Sequence, residues 1–216
     1  MFDAKLDKLV SDLILQWNIA ERRIKKAEQV EGNEVVSPAI FELRYAGRKI
    51  IDTLFLLLTK DWRNDQAAYE DICRFLADAI EDCVKAKHDA IDAMVDFVTI
   101  WFSEVEREIG ANRLLELFSD YFDVTGSLAE VQEKIAQSRE NRLEARDGVY
   151  DEIERDHLDG ILRLYNKMRL SKTRVQEIAD VQNRKESGLY WMTFISTAAA
   201  VGLIGFEIWK AVFGHG

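Results

Sequence analysis

A single proline, Pro38, stands in 216 residues. Proline removes a backbone donor and clashes with the preceding helical turn, so a chain almost free of it can carry long uninterrupted helices. Strand-rich folds normally spend more Pro and Gly in their turns than one proline and eleven glycines provide. Apolar residues make up 48 % and charged residues 31 %, a balance that supports a packed core and excludes collagen-like, disulfide-rich and disordered chains. The expected class is all-α, an elongated cytosolic helical bundle with a single C-terminal transmembrane helix.

The helices follow from apolar periodicity. Leu6, Leu9, Val10, Leu13, Ile14, Trp17 and Ile24 set the first, from Phe2 to about Val30, and the polar EGNE at 31–34 ends it. Ser37-Pro38 reads as N-cap plus first helical position of the second, which runs to about Lys60. Its run Leu54–Leu58 is too short to cross a bilayer and reads as deep core. Arg44 and Arg48 flank Gly47 on this helix, and the glycine points to close helix packing there. A third pattern extends from Asp65 to Ile109. Unbroken it would be about 65 Å long, so a break is expected at the polar stretch Lys85–Asp89. Gly110 marks its end. A short helix from Asn112 to Phe122 and a turn at 123–126 come next. Ser127-x-x-Glu130 then reads as a capping box opening another helix. Cys73 and Cys83, ten residues apart on one helix, are about 15 Å distant and too far for a disulfide.

From Ser187 to Phe206 twenty residues pass without a charge. At 1.5 Å per residue they span about 30 Å, the hydrocarbon thickness of a bilayer. Tyr190 and Trp191 stand at one end of the span and Trp209 at the other, as in an aromatic belt. Arg169, Lys172, Arg174, Arg184 and Lys185 precede it and Lys210 follows, which places the N-terminal part in the cytoplasm. No basic n-region with an apolar h-region opens the chain, so no cleavable signal peptide is expected. The organisation expected is a bundle at 1–126, a long polar helical segment at 127–187, a membrane helix at 188–210 and a short tail at 211–216, a tail-anchored layout. Within the span, Ala198, Gly202 and Gly205 form a small-residue face suited to helix association. Thr193, Ser196, Ala200 and Glu207 form a second face that would line water if several spans form a ring.

Charge is unevenly placed. The net charge is −10, and residues 1–126 carry −9 of it (16 basic, 25 acidic). Residues 163–174 are basic, with Arg163, Lys167, Arg169, Lys172 and Arg174 and no acid, which makes them candidates for lipid or anion contact. The acidic body argues against nucleic acid as a ligand.

Catalytic signatures are sparse. Asp151, Glu154 and His157, three apart, would share one helix face and are the only candidates for a metal site. Di-iron bundles use the Glu-x-x-His motif twice, whereas it occurs here once, and no cofactor is expected. Helical RNases of the HEPN type carry an Arg at short fixed spacing ahead of a His. Residues 150–152 ahead of His157 are Tyr, Asp and Glu, and residues 81–83 ahead of His88 are Glu, Asp and Cys, so that motif is missing. The layout is similar in plan to tail-anchored regulators of the Bcl-2 family, without their Asn-Trp-Gly-Arg motif. Phosphate-binding glycine loops, Gly-x-Ser-x-Gly and His-Glu-x-x-His are all missing as well. The reading is therefore a non-enzymatic membrane protein whose cytosolic helices self-associate. It would act as a scaffold or as an effector that perturbs the bilayer, in a toxin or defence setting. Its expected partners are the lipid bilayer, further copies of itself and a protein bound by the cytosolic domain. A membrane-tethered adaptor is the first alternative, and a metal-dependent or HEPN-like enzyme the second.

Overall fold

The computed structural model describes residues 3–32 and 34–171, and these are all-helical. The helices are α1 (Ala4–Val30), α2 (Ser37–Thr59), α3 (Gln66–Ile109), α4 (Ala111–Leu117), α5 (Tyr121–Ser138) and α6 (Leu143–Ile153). A π turn, Glu154–Leu158, follows α6, and residues 159–171 are helical. Residues 1–165 form one compact unit that includes α5 and α6. A second unit begins at Asn166, and of it residues 166–171 are described. No helix among the described residues is long and apolar enough to cross a membrane, and the run expected to do so, 188–210, lies outside them.

The spine is α3. Its start is capped by Asp65, whose carboxylate accepts from the backbone N–H groups of Ala67 and Ala68 at 3.1 and 3.2 Å. It ends at Gly110, which adopts a positive φ of 88° that favours glycine. Between them 44 residues run without a break. The break expected at Lys85–Asp89 does not occur, because Ala86, Lys87, His88 and Ala90 are buried under other helices, with Lys87 Nζ on Asp151 and His88 Nε2 on Asp147.

The other helices lie along this spine in alternating directions. Lys5 of α1 sits over the Tyr69 ring at 5.8 Å, and Val30 at its other end accepts a hydrogen bond from the Tyr165 hydroxyl beside Trp101, so α1 runs parallel to α3. Loop length then forces α2 back the other way, with Lys49 on Asp82 at 2.8 Å. Gln132 donates to the Thr99 hydroxyl and Tyr121 to Glu106, so α5 is antiparallel to α3. His88 meets Asp147 near the start of α6, and Asp92, further along α3, meets Tyr150, further along α6, so α6 runs parallel to α3.

Alanine decides how α1 and α2 meet α3. Ala20 and Ala27 on α1, Ala39 and Ala46 on α2, and Ala79, Ala86 and Ala90 on α3 are all fully buried. Small residues bring helix axes toward the short end of the usual 8–10 Å range. On α2 the buried residues, Ala39, Ala46 and Thr53, are seven apart and form one line. This reverses the expectation for the Leu54–Leu58 run. Ile40, Phe41, Tyr45, Ile51, Leu54, Phe55 and Leu58 are exposed, because the face that fits the alanine seam is the one turned away from them. Full burial of each such side chain would contribute about 1.5–3 kcal/mol. This unit leaves much of that gain unrealised on α2.

Two smaller expectations also change. Val36, not Ser37, takes the cap position of α2, with Ser37 and Pro38 inside the first turn and no side-chain cap bond. The turn expected at 123–126 is helical. Here α5 starts at Tyr121, which is buried and bonded to Glu106, and it runs through Gly126 into Ser127, so Ser127 lies inside the helix and caps nothing. Cys73 and Cys83 are free and buried, as their spacing implied.

The alanine seam gives a direct test. Replacing Ala46 with leucine inserts three carbons where α2 meets α3 without space, and overpacking of that kind costs about 1–3 kcal/mol. The Ala46→Leu protein is expected to melt several degrees below wild type by circular dichroism, and an unchanged melting temperature would show that the seam is not close-packed.

Candidate functional site

The densest group of buried polar side chains lies where α6 docks on α3. Lys87 and His88 are 3 % and 1 % exposed, positions that cations rarely occupy unpaired. Asp147 of α6 answers both. Its Oδ1 lies 2.9 Å from His88 Nε2 and forms an ion pair with Lys87 Nζ. Asp151, one turn on, accepts from Lys87 Nζ at 2.9 Å. The Tyr150 ring stacks on His88 with centroids 4.0 Å apart, and its hydroxyl donates to Asp92 at 2.6 Å. Arg146 donates to the Tyr150 hydroxyl at 3.1 Å, and Arg139 pairs with Asp92 at 3.4 Å.

Titration follows this geometry. Burial lowers the His88 pKa, against the opposing pull of Asp147, so the ring is held neutral. With Nε2 turned to Asp147, Nδ1 is buried without a partner, and protonating it would leave an unpaired donor. Burial raises the Asp147 pKa, but hydrogen bonds from His88 and Lys87 outweigh this and hold it below the usual carboxylate range. Burial and the bond to Asp92 push the Tyr150 phenol up to about 12. A neutral histidine beside a carboxylate has the composition of a general base. This ring, however, is enclosed on every side, so its position assigns it to helix docking.

The metal candidates separate. Asp151 meets Lys87, Glu154 pairs with Arg23 of α1, and His157 Nδ1 lies 2.7 Å from the Ser127 hydroxyl of α5. The π turn explains why they do not share a face. Glu154 and Asp159 both meet α1, at Arg23 and Lys26, and Glu152 and His157 both meet α5, at Lys134 and Ser127. Glu154 and Asp159 are five apart, as are Glu152 and His157, the repeat of i→i+5 bonding, whereas an α-helix aligns residues three and four apart. Among the described residues no group of three His, Cys, Asp or Glu side chains is arranged to hold a metal ion.

Ser127 and His157 resemble part of a nucleophile–base pair. The third component is weak, since Glu130 is 3.9 Å from His157 Nε2 and its carboxylate is taken by Lys134 at 3.0 Å. Ser127 lies inside α5, where backbone N–H groups bond within the helix and leave no donor for an oxyanion. Of the basic candidates, Arg163, Lys167 and Arg169 are exposed on the helical stretch, while Lys172 and Arg174 lie outside the described residues. Ala198, Gly202, Gly205, Thr193, Ser196, Ala200 and Glu207 lie outside them too. Sequence reasoning missed the Lys87–His88–Asp147 group. The signal was present: Lys87 and His88 fall four and three residues before Ile91, inside the apolar stripe.

Two results follow for this seam. Asp147→Ala strips the carboxylate shared by two buried groups and is expected to cost about 3 kcal/mol, the usual effect of breaking a buried pair. Lys87→Met is expected to cost much less, because Asp147 and Asp151 both reach solvent; denaturant unfolding of the full chain in detergent compares them, and equal costs would contradict the seam. The unfolded histidine takes up a proton near its usual 6.5, and the folded one resists. Stability should therefore fall as pH drops below about 6.5 toward the depressed pKa of the fold. Melting temperatures between pH 7.5 and 5 should drop less steeply in His88→Phe than in wild type.

No protein-family model, curated protein or solved structure matches this chain.

Proposed function

We propose that this protein is a non-enzymatic membrane scaffold or effector. Its helical body lies on the cytoplasmic side, one helix at 188–210 holds it in the bilayer, and copies assemble. The observation that carries the reading is the twenty-residue uncharged run Ser187–Phe206, with five basic residues shortly before it and one after. The body supports it. Among the described residues the buried ionisable groups are spent on joining helices, and the Ser127–His157 pair lacks an oxyanion donor. Assembly draws on the Ala198, Gly202 and Gly205 face, where small residues allow two helices to approach.

In vesicles the full chain should stay with the lipid through an alkaline carbonate wash. Arginine at both Ile195 and Leu203, at about 3 kcal/mol each near the bilayer centre, should release it. Release of the wild type would refute the anchor. Dye leakage then separates the two forms of the reading. Leakage that depends on Glu207 identifies an effector that opens the bilayer, and retention of dye at every protein-to-lipid ratio leaves the scaffold.

A further inference from the structure

We propose that the exposed face of α2 is the self-association surface of the helical body, and that its occupant is the same face of a second copy, antiparallel across a two-fold axis. This deepens the proposed function and rests on its premise that copies assemble.

The face repeats as helix pairing requires. Ile40, Arg44, Gly47, Ile51, Leu54 and Leu58 follow steps of four, three, four, three and four, the heptad of a seam between two helices. The seam is open: Ile51, Leu54 and Leu58 are 59, 51 and 85 % exposed. Ile40, Phe41, Tyr45, Ile51, Leu54, Phe55 and Leu58 are 38 to 85 % exposed along α2, and together they make a patch larger than the roughly 300–600 Å² of a typical monomer's largest one. It approaches the ~800 Å² per partner of a stable interface.

The residues complement themselves when reversed. With the axis at residue 49, Ile40 meets Leu58 of the second copy, Arg44 meets its Leu54, and Gly47 meets its Ile51. Each layer sets a wide residue against a narrower or flexible one. Gly47 is bordered by Trp17 of α1, 3.9 Å from where a Cβ would stand, and it leaves a hole for the facing isoleucine. Phe41 comes beside Phe55 of the other copy, an aromatic pair on the flank. A two-fold axis uses one patch twice, so nothing else on the molecule is needed to close the dimer.

Charge is exchanged rather than added across the axis: Arg48, exposed and 3.0 Å from its own Asp52, comes within reach of the Asp52 of the second copy, whose Arg48 in turn reaches the first Asp52. Arg44, the one polar member of the seam, fixes register while its stem lies along Leu54.

The test uses the full chain in mild detergent and in vesicles. Arg48→Cys faces itself across the axis and should oxidise to a covalent dimer, while Glu70→Cys on exposed α3 should not. Cys73 and Cys83 are buried and do not compete. Adding Ile51→Glu and Phe55→Glu should cut the cross-link about tenfold and reduce the detergent-corrected mass. Both sites are exposed, so the fold survives, as an unchanged circular dichroism spectrum would verify. No cross-link at 48, with mass unaffected by the two glutamates, would overturn the proposal. It would also fail if a label at Leu58→Cys, at one chain per phosphatidylglycerol vesicle, is shielded from aqueous iodide, since lipid would then be the occupant. Gly202→Leu separates this proposal from the membrane-helix reading. Loss of higher assembly with the 48–48 cross-link retained faults neither, while an unchanged assembly under Gly202→Leu removes the span from self-association and leaves the α2 pair standing.

Discussion

Asp147 is shared by Lys87 and His88, and the order of the bundle depends on that carboxylate. A buried ammonium and a buried imidazole in the middle of a 44-residue helix would be costly alone. Asp147 meets the ammonium as a counter-charge and accepts the imidazole N–H, and it can do so only if α6 lies parallel to α3 at this level. That placement brings Tyr150 onto the His88 ring and its hydroxyl to Asp92, and it carries the chain upward to seat Tyr165 against Trp101 and the end of α1. An apolar seam of equal area would tolerate sliding along the helix axis. Paired charges do not, so the polar group sets register where the alanine contacts alone would leave it loose.

The alanine seam supplies the complementary constraint. Buried alanine on three helices draws the axes together and dictates which face of each helix turns inward. On α2 that choice runs against hydropathy, because the line Ala39–Ala46–Thr53 goes in and the leucines, isoleucines and phenylalanines stay out. Shape complementarity to α3 wins over side-chain hydrophobicity within one copy. The apolar residues then become a property of the surface, and their meaning moves from folding to association.

Much of this was legible from residues alone. Helix positions follow from 3.6-residue periodicity and from breakers at Gly32 and Gly110, both of which adopt positive φ. Three features were not legible, each for a physical reason. Periodicity reports that α2 has an apolar face without saying which neighbour fits it, so Leu54–Leu58 read as core. A polar stretch reads as a break unless its partners are known, and those of Lys87 and His88 lie about sixty residues away on α6. Ser127-x-x-Glu130 has the letters of a capping box, but Tyr121, tied to Glu106, starts the helix two turns earlier.

The π turn follows from the same geometry. After Asp147 and Asp151 have met α3, the chain must also satisfy α1 on one side and α5 on the other. An α-helix brings residues three and four apart to one neighbour, and over ten residues that repeat drifts off a straight partner. Spacing of five at Glu154–Asp159 and at Glu152–His157 keeps two contacts on each neighbour in line with the axis. The inserted residue thus resolves a docking conflict between three helices. It also parts Asp151, Glu154 and His157, so the feature that locks α6 into the bundle is the one that separates the three side chains whose spacing suggested a shared face.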